Sequence, residues 1–196
     1  MQKGLRTRGS ILARAAPVFN MRGFFGTSIE DLVKATGLKK GGLYNHYPSK
    51  EALALASFDY AIGKFRERFA EALREGQSAV GSLQTIVEVL VRSYTEPVVE
   101  GGCPILNTAI ESDDANPILR EKAQAAMHGL LRLIGIHVKR GIKSGELRTD
   151  VDARAVATSI VGMCEGALML SKLFDDPAHI RRARAHLFAF IQSLSA

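Results

Sequence analysis

Apolar residues recur every three or four positions along almost the whole chain, which is the periodicity of an α-helix with one buried face. One such stripe, more than four turns long, runs through Leu55, Phe58, Ile62, Phe65, Phe69 and Leu73. No segment sustains the alternation of apolar and polar residues that a half-buried β-strand requires. The pattern therefore predicts an all-α protein of about nine helices.

Glycine, proline and capping residues divide this pattern into separate helices. The predicted helices cover 7–21, 27–36, 40–47, a long segment that Ser49 caps, 83–95, 104–111, 118–143, 152–173 and 177–194. Thr27 and Glu30 are predicted to form a capping box at the start of the second helix, with the Thr hydroxyl and the Glu carboxylate satisfying backbone donors. Loops are expected at 97–102 and 113–117.

Basic residues concentrate in the first quarter of the chain. Residues 1–50 contain nine Lys and Arg against two acidic residues, a net charge of +7, whereas the remaining 17 basic and 18 acidic residues sum to −1. A basic segment on a nearly neutral body is typical of a module that binds a polyanion. The alternative is a basic tail that is merely solvated.

The basic quarter also contains the pattern of a helix-turn-helix. One helix precedes two short helices, and the turn Thr36-Gly37-Leu38 joins that pair. In such a motif the second helix enters the major groove, and flanking donors hold phosphates. Side chains that could donate here are those of Thr27, Tyr44, His46, Tyr47 and Lys50. The alternative is a three-helix core in which the aromatic residues only pack.

Two segments of this region, 26–32 (GTSIEDL) and 40–53 (KGGLYNHYPSKEAL), resemble the TetR family of transcription regulators. They match its second helix, its recognition helix and the start of its fourth helix. By this resemblance, the residues at the DNA are Thr27, Lys39, Lys40, Gly41, Gly42, Leu43, Tyr44, Asn45, His46, Tyr47 and Lys50. Lys39 replaces a frequent capping Ser or Thr, and Gly42 lacks a contacting side chain, so base readout is expected to rest on few side chains.

The resemblance implies a DNA-binding domain at 1–50 and a ligand-binding and dimerisation domain at 51–196, with helix four as the connector. It also implies a cytoplasmic, one-component regulator, most often a repressor. Such a protein binds palindromic double-stranded DNA as a homodimer and is released by a small-molecule inducer. No cofactor is implied. No uncharged stretch has the length of a membrane span, and the first residues do not fit a secretory signal, so no membrane partner is expected.

The C-terminal half offers residues for both of its expected tasks. The family usually dimerises through its last two helices, which places Gly162, Gly166, Ile180, Ala183, Leu187, Phe190 and Ile191 at the interface. Apolar and polarizable side chains suited to a ligand pocket are Val91, Tyr94, Cys103, Leu106, Met127, Leu131 and Met163. In both sets the alternative is packing within one chain.

Cys103 suggests a second kind of signal. It directly precedes Pro104 at the start of a predicted helix, where backbone N–H groups and the helix dipole favour a thiolate. Modification of Cys103 is therefore an alternative inducing event, and a small buried apolar residue is the other interpretation. An enzyme acting on a small apolar substrate is less favoured, because no nucleophile–base pair, metal-ligand spacing or phosphate-binding loop is present in the sequence. A helical adaptor for proteins would leave the basic quarter unexplained.

Overall fold

The computed structural model describes residues 2–73, 75–112 and 116–196. Within these ranges it contains nine α-helices and no strand, which confirms the predicted fold class. The helices are α1 (Gln2–Arg22), α2 (Ile29–Thr36), α3 (Lys40–Tyr44), α4 (Lys50–Ala72), α5 (Ala79–Val91), α6 (Pro104–Ser112), α7 (Pro117–Ser144), α8 (Ala153–Phe174) and α9 (Ala178–Gln192). Part of the loop predicted at 113–117 lies outside the described residues.

The helices form two compact units that interleave along the chain. The N-terminal unit comprises Met1–Phe65 and Val98–Gln124, and the C-terminal unit comprises Arg66–Pro97 and Ala125–Ala196. Helix α6 therefore belongs to the same unit as α1, α2 and α3, although α4 and α5 separate it from them in the sequence.

The first helices share one apolar core in the N-terminal unit. Its buried members are Ile11, Ala15, Leu32, Leu43, Tyr47 and Leu53. Gly37 ends α2 in the left-handed region, with φ 71°, and its N–H donates to the carbonyl of Val33 at 2.9 Å. Because glycine adopts this conformation without a Cβ penalty, α2 can stop abruptly and α3 can begin three residues later.

The predicted cap of α2 is wrong by one residue. Ser28 is the N-cap: its hydroxyl accepts the N–H of Asp31 at 3.1 Å, and the Asp31 carboxylate accepts the N–H of Ser28 at 3.0 Å. Thr27 precedes this cap and is buried, with its hydroxyl donating to the carbonyl of Gly23. The N–H and the hydroxyl of Ser28 hold the pKa of Asp31 below its usual value.

In the C-terminal unit, α9 packs against α5 and α8. Helix α5 begins at Ala79, four residues before the predicted start, because two side chains cap it. The Ser78 hydroxyl accepts the N–H of Gly81 at 2.9 Å, and the Glu146 carboxylate accepts the N–H groups of Ala79 and Val80 at 2.6 and 2.8 Å. The predicted ends of α5 and α3 are also too late, since these helices stop at Val91 and Tyr44.

Helix α8 contains Arg154, Glu165 and Lys172, so it is not an uncharged stretch of the length of a membrane span. It is the one helix within the described residues that is long and apolar enough for a bilayer by length and composition. A core helix of a globular unit meets the same test, and one face of α8 is buried against α5 and α9.

Gly141 gives a direct test of the packing in this unit. A Cβ added there would lie 2.7 Å from the Cβ of Ala79 and from Cδ1 of the buried Leu147. We expect Gly141→Ala to lower the free energy of unfolding by about 1–3 kcal/mol through overpacking. Gly129→Ala, where an added Cβ meets nothing within 4 Å, should raise it by up to about 1 kcal/mol. Urea unfolding measures both, and equal stabilisation of the two variants would contradict this packing.

Candidate nucleic-acid interface

The exposed surface of the helix-turn-helix is formed by the start of α3 and by the residues that flank it. Lys39, Lys40, Gly41, Tyr44 and Asn45 are all exposed. Neither lysine forms a salt bridge with a described residue, so both charges are available to a ligand. An added Cβ at Gly41 would meet nothing within 4 Å, which leaves the backbone of α3 open to close approach. This surface is short, polar and cationic, as a contact with a phosphate backbone requires.

Three of the residues predicted at the DNA are buried in the protomer. Thr27 and Leu43 are each 1% exposed and Tyr47 is 3% exposed. The guanidinium of Arg8 lies over the Tyr47 ring, 4.6 Å from its centroid. Gly42 and His46 are half-buried. These residues therefore shape and support α3, and most of the accessible surface belongs to the exposed set.

Lys50, the first residue of α4, contacts the turn between α1 and α2. Its ammonium group donates to the carbonyls of Phe24 and Thr27 at 2.8 and 3.0 Å. It also lies 4.3 Å from the centroid of the Phe24 ring. A cation that already has three partners within one turn holds that turn in place, whatever else it contacts.

Glu111 of α6 binds the backbone N–H groups of the same turn, whereas Lys50 binds its carbonyls. Its carboxylate accepts the N–H groups of Phe24 and Phe25 at 2.7 and 2.9 Å. Gly23 permits this approach, because its φ is +75° and an added Cβ would overlap the Glu111 carboxylate. We call Lys50, Glu111 and the turn 23–27 the turn clamp. Glu111 was not among the residues predicted from the sequence, because it lies 87 and 86 positions from its two partners and carries no local signal.

Two asparagines fix the end of α1 to the segment before α6. The amide of Asn20 donates to the carbonyls of Glu100 and Gly102 at 2.9 and 3.1 Å. The amide of Asn107 donates to the carbonyls of Asn20 and Gly101, both at 3.0 Å. These bonds satisfy partly buried backbone carbonyls that would otherwise lack hydrogen-bond partners. Helix α6 thus holds both the end of α1 and the turn that follows it.

The predicted pocket residues are divided between the two units. Cys103 and Leu106 belong to the N-terminal unit, and Val91, Tyr94, Met127, Leu131 and Met163 belong to the C-terminal unit. Cys103 is 2% exposed and directly precedes α6. No cluster of residues that could hold a metal ion occurs in the part of the chain that the structure describes.

The predicted interface residues also fall into two groups. Ile180, Ala183, Leu187 and Ile191 are buried within the protomer, on the side of α9 that packs against α5 and α8, and Phe190 is half-buried. Gly162 is exposed and Gly166 is half-buried, and an added Cβ at either would meet nothing within 4 Å. The apolar stripe of α9 therefore belongs to the core of the unit, whereas the glycines of α8 lie at its surface.

Two family matches cover most of the chain. Residues 11–57 match the family described as bacterial regulatory proteins, tetR family. Residues 79–187 match the family described as the tetracyclin repressor-like C-terminal domain. The first match contains α2, α3 and the exposed cationic surface, and the second contains the helices of the C-terminal half up to the middle of α9.

Solved structures and curated relatives agree with these matches. A TetR transcriptional regulator from Chloroflexus aurantiacus J-10-FL is 44% identical, with a TM-score of 0.95 over 100% of this chain and 98% of that one. A TetR-family regulator from Cytophaga hutchinsonii is 32% identical, with a TM-score of 0.92 over the same shares. The fatty acid metabolism regulator protein of Bacillus subtilis is 24% identical over 78% of this chain and 76% of its own length.

The position of Lys50 leads to a prediction about stability. Lys50→Met removes two hydrogen bonds from a charged donor to backbone carbonyls, so we expect the free energy of unfolding to fall by about 1–3 kcal/mol. Lys40→Met removes an exposed charge and should change it by less than about 0.5 kcal/mol. Urea unfolding followed by circular dichroism compares the two. An Lys50→Met protein as stable as the wild type would show that the lysine does not hold the turn.

Proposed function

This chain belongs to the TetR family of transcriptional regulators, and we propose that it binds a palindromic operator as a homodimer and leaves it when a small molecule binds. It is not an enzyme, because the matched families and relatives are transcriptional regulators. We propose that it acts as a repressor in the cytoplasm. Relatives named as repressors support repression rather than activation, among them DhaR of Mycobacterium sp. strain GP1 and NemR of Escherichia coli.

The exposed cationic surface at α3 is the observation that supports operator binding by these residues. Lys39 and Lys40 bring unpaired charge to the start of the recognition helix, where phosphates of the duplex would lie beside it. Tyr44 and Asn45 are exposed on the following turn. We propose that the Tyr44 hydroxyl donates to a phosphate and that Asn45 reads a base edge, since an amide side chain can pair with adenine in the major groove.

A homodimer is supported by the surface of α8. Ser159, Gly162, Gly166, Met169 and Leu173 follow each other at intervals of three and four residues, which places them on one face. This face ends in exposed apolar side chains, with Leu173 69% exposed. Small residues followed by large apolar ones allow a second helix to approach closely and bury the exposed end. We propose that this face, together with Ala185 and Ala189 of α9, forms the interface.

Two-fold symmetry of the protein then demands two-fold symmetry of the operator. A dimer presents two recognition helices, and each reads one half-site on the same side of the duplex. Half-sites should therefore be separated by about one or more helical turns, roughly 34 Å each. This relation supports a palindromic operator from the symmetry of the dimer alone.

We propose that the inducing signal reaches the DNA through α6. Cys103 and Leu106, two of the predicted pocket residues, lie beside or on this helix, and Glu111 of the same helix belongs to the turn clamp. A ligand that shifts α6 would change the support of α1 and of the turn before the recognition helix. A differential affinity of about 1–3 kcal/mol for the two arrangements is enough to alter DNA binding roughly 5- to 150-fold.

The chemistry of the inducer has support only from relatives. FadR of Bacillus subtilis, 20% identical with a TM-score of 0.76, was solved in complex with stearoyl-CoA. Modification of Cys103 is the less supported alternative, since its side chain is 2% exposed and a reagent would first have to displace the segment before α6. Cys164 is a still weaker candidate, because burial raises the pKa of its thiol to about 12.

DNA binding should depend strongly on salt. If each dimer neutralises roughly six phosphates, raising the salt from about 50 to about 200 mM should lower the affinity about a thousandfold. Fluorescence anisotropy with a duplex obtained by in vitro selection measures this. Lys40→Gln should reduce the slope of log K against log salt by about one for each phosphate that is no longer neutralised, and Asn45→Ala should reduce discrimination between duplexes.

Lys143→Gln, on the exposed face of α7, is the matched control for Lys40→Gln and should leave the salt dependence unchanged. Salt-independent binding of the wild type, or a selected site without an inverted repeat, would contradict the proposal.

The dimer face can be tested without disturbing the protomer. Gly162→Glu places a charge in the close-packed part of the proposed interface, whereas its Cβ meets nothing within the protomer. We expect a folded monomer by sedimentation velocity at low micromolar concentration. Gly9→Glu, also an exposed glycine within a helix with open space around its Cβ, should remain dimeric. A Gly162→Glu protein that still sediments as a dimer would place the interface elsewhere.

A further inference from the structure

A groove runs between α7 and the start of α8 in the C-terminal unit. Its volume is about 550 Å³. The side chains that α7 contributes include His128, Arg132, Ile136 and Lys139, which recur on one face of that helix over about 16 Å. Helix α8 completes the groove from its first two turns, including Arg154 and Ala157. The groove therefore has the size of a small-molecule site and an elongated shape.

The charge of the groove has one sign. Arg132, Lys139 and Arg154 are all exposed, and no salt bridge joins any of them to a described residue. No Asp or Glu of the described residues lines the groove. Three like charges along one concave surface repel each other and raise the local concentration of anions. The arrangement is complementary to a ligand that carries more than one negative charge.

The groove also exposes apolar surface between these charges. Ile136 is 55% exposed, and Leu131 and Ala157 form the neighbouring apolar lining. A large aliphatic side chain at the centre of a cationic groove would be covered by the apolar part of a bound ligand. Inorganic phosphate would be enough to neutralise the cationic side chains of the groove. The exposed apolar lining adds a second requirement, which is that the ligand also has an apolar part.

A second copy of this chain is a poor occupant for the groove. Helix α9 contains no acidic residue and exposes Arg181 and Arg182, and the one acidic residue within α8, Glu165, is buried. Another protomer presenting its α8 and α9 surface would bring like charges together, which disfavours that contact. The occupant must supply the negative charge that these helices lack.

We propose that this groove binds a soluble organic phosphate with an apolar part, at a site that differs from the operator surface and shares only one residue with the predicted inducer pocket. Arg132 and Arg154 would bind the phosphate oxygens, since the planar guanidinium donates two parallel hydrogen bonds to such groups. Lys139 adds a point charge further along the same face of α7, and Ile136 with Leu131 covers the apolar part. Of these residues, only Leu131 belongs to the pocket predicted from the sequence.

Octyl phosphate is a suitable probe, because it combines a phosphate with a short alkyl chain and stays monomeric at millimolar concentration. Isothermal titration calorimetry with the full-length protein should detect its binding. Octyl glucoside, which has the chain without the charge, and inorganic phosphate, which has the charge without the chain, should each bind at least about tenfold more weakly. Equal binding of octyl glucoside and octyl phosphate would overturn the proposal, as would equal binding of inorganic phosphate.

Variants locate the binding in the groove. Arg132→Gln and Arg154→Gln should each weaken octyl phosphate binding about tenfold or more. Ile136→Ser should weaken it about fivefold, because less apolar surface is covered. Lys143→Gln removes the same charge from an exposed position of α7 outside the groove and should leave binding unchanged. All four positions are exposed, so circular dichroism should show unaltered folding. Equal loss in Lys143→Gln would reveal a general charge effect and overturn the site.

Two further measurements separate this site from other partners of the protein. If Arg132→Gln lowers the DNA affinity without octyl phosphate present, the groove is a DNA-backbone contact and the proposal fails. If the variants retain octyl phosphate but lose binding to phosphatidylglycerol vesicles, the groove faces a membrane surface and the proposal fails. Octyl phosphate binding with unchanged DNA affinity supports the groove, and absence of any DNA binding would count against the proposed function alone.

Discussion

The turn between α1 and α2, which leads into the helix-turn-helix, is held by two charged side chains that follow it in the sequence. Lys50 satisfies carbonyl groups of this turn, and Glu111 satisfies its N–H groups. The two side chains thus stabilise opposite ends of the peptide dipoles in one turn. Both side chains are charged, and hydrogen bonds with a charged partner are stronger than hydrogen bonds between neutral groups. Removing either would leave backbone groups of a partly buried turn without partners. The turn directly precedes Ser28, the cap that fixes where α2 begins.

Helix α6 is hydrogen-bonded to the end of α1 and to the turn that precedes α2. The helix lies far from them in sequence but belongs to the same compact unit, and it contributes both Glu111 and Asn107. A movement of α6 would therefore act on the end of α1 and on the turn clamp through hydrogen bonds that already exist. Coupling between a ligand site and the DNA-binding helices requires only that these bonds have a second arrangement and that the ligand binds the two arrangements with different affinity.

Periodicity and turn residues were sufficient to predict the all-α class, the helix number and the helix-turn-helix, because those depend on local patterns. They could not decide between Thr27 and Ser28 as the cap of α2. Both are good capping residues with an acidic residue three positions later, yet the structure places the cap at Ser28 and buries Thr27, whose hydroxyl donates to the carbonyl of Gly23. The same limit applies to Tyr47, which has a donor that suits a phosphate yet is buried in the core. The sequence shows which groups can donate, and packing decides which of them reach the solvent.

The same limit applies to the proposed dimer face and to the proposed anion groove of the C-terminal half. An apolar stripe of α9 and a stripe of small residues on α8 look equally suited to a partner helix, but the first is buried by α5 and α8 within the protomer. Net charge does not predict the charge of a local surface either. The residues after 50 sum to −1, yet three of their cationic side chains line one groove, and none of the described residues that line it is acidic. Charges that cancel along the chain need not cancel in space. Where they remain uncancelled on a concave, partly apolar surface, an anion is the simplest group that lowers their mutual repulsion.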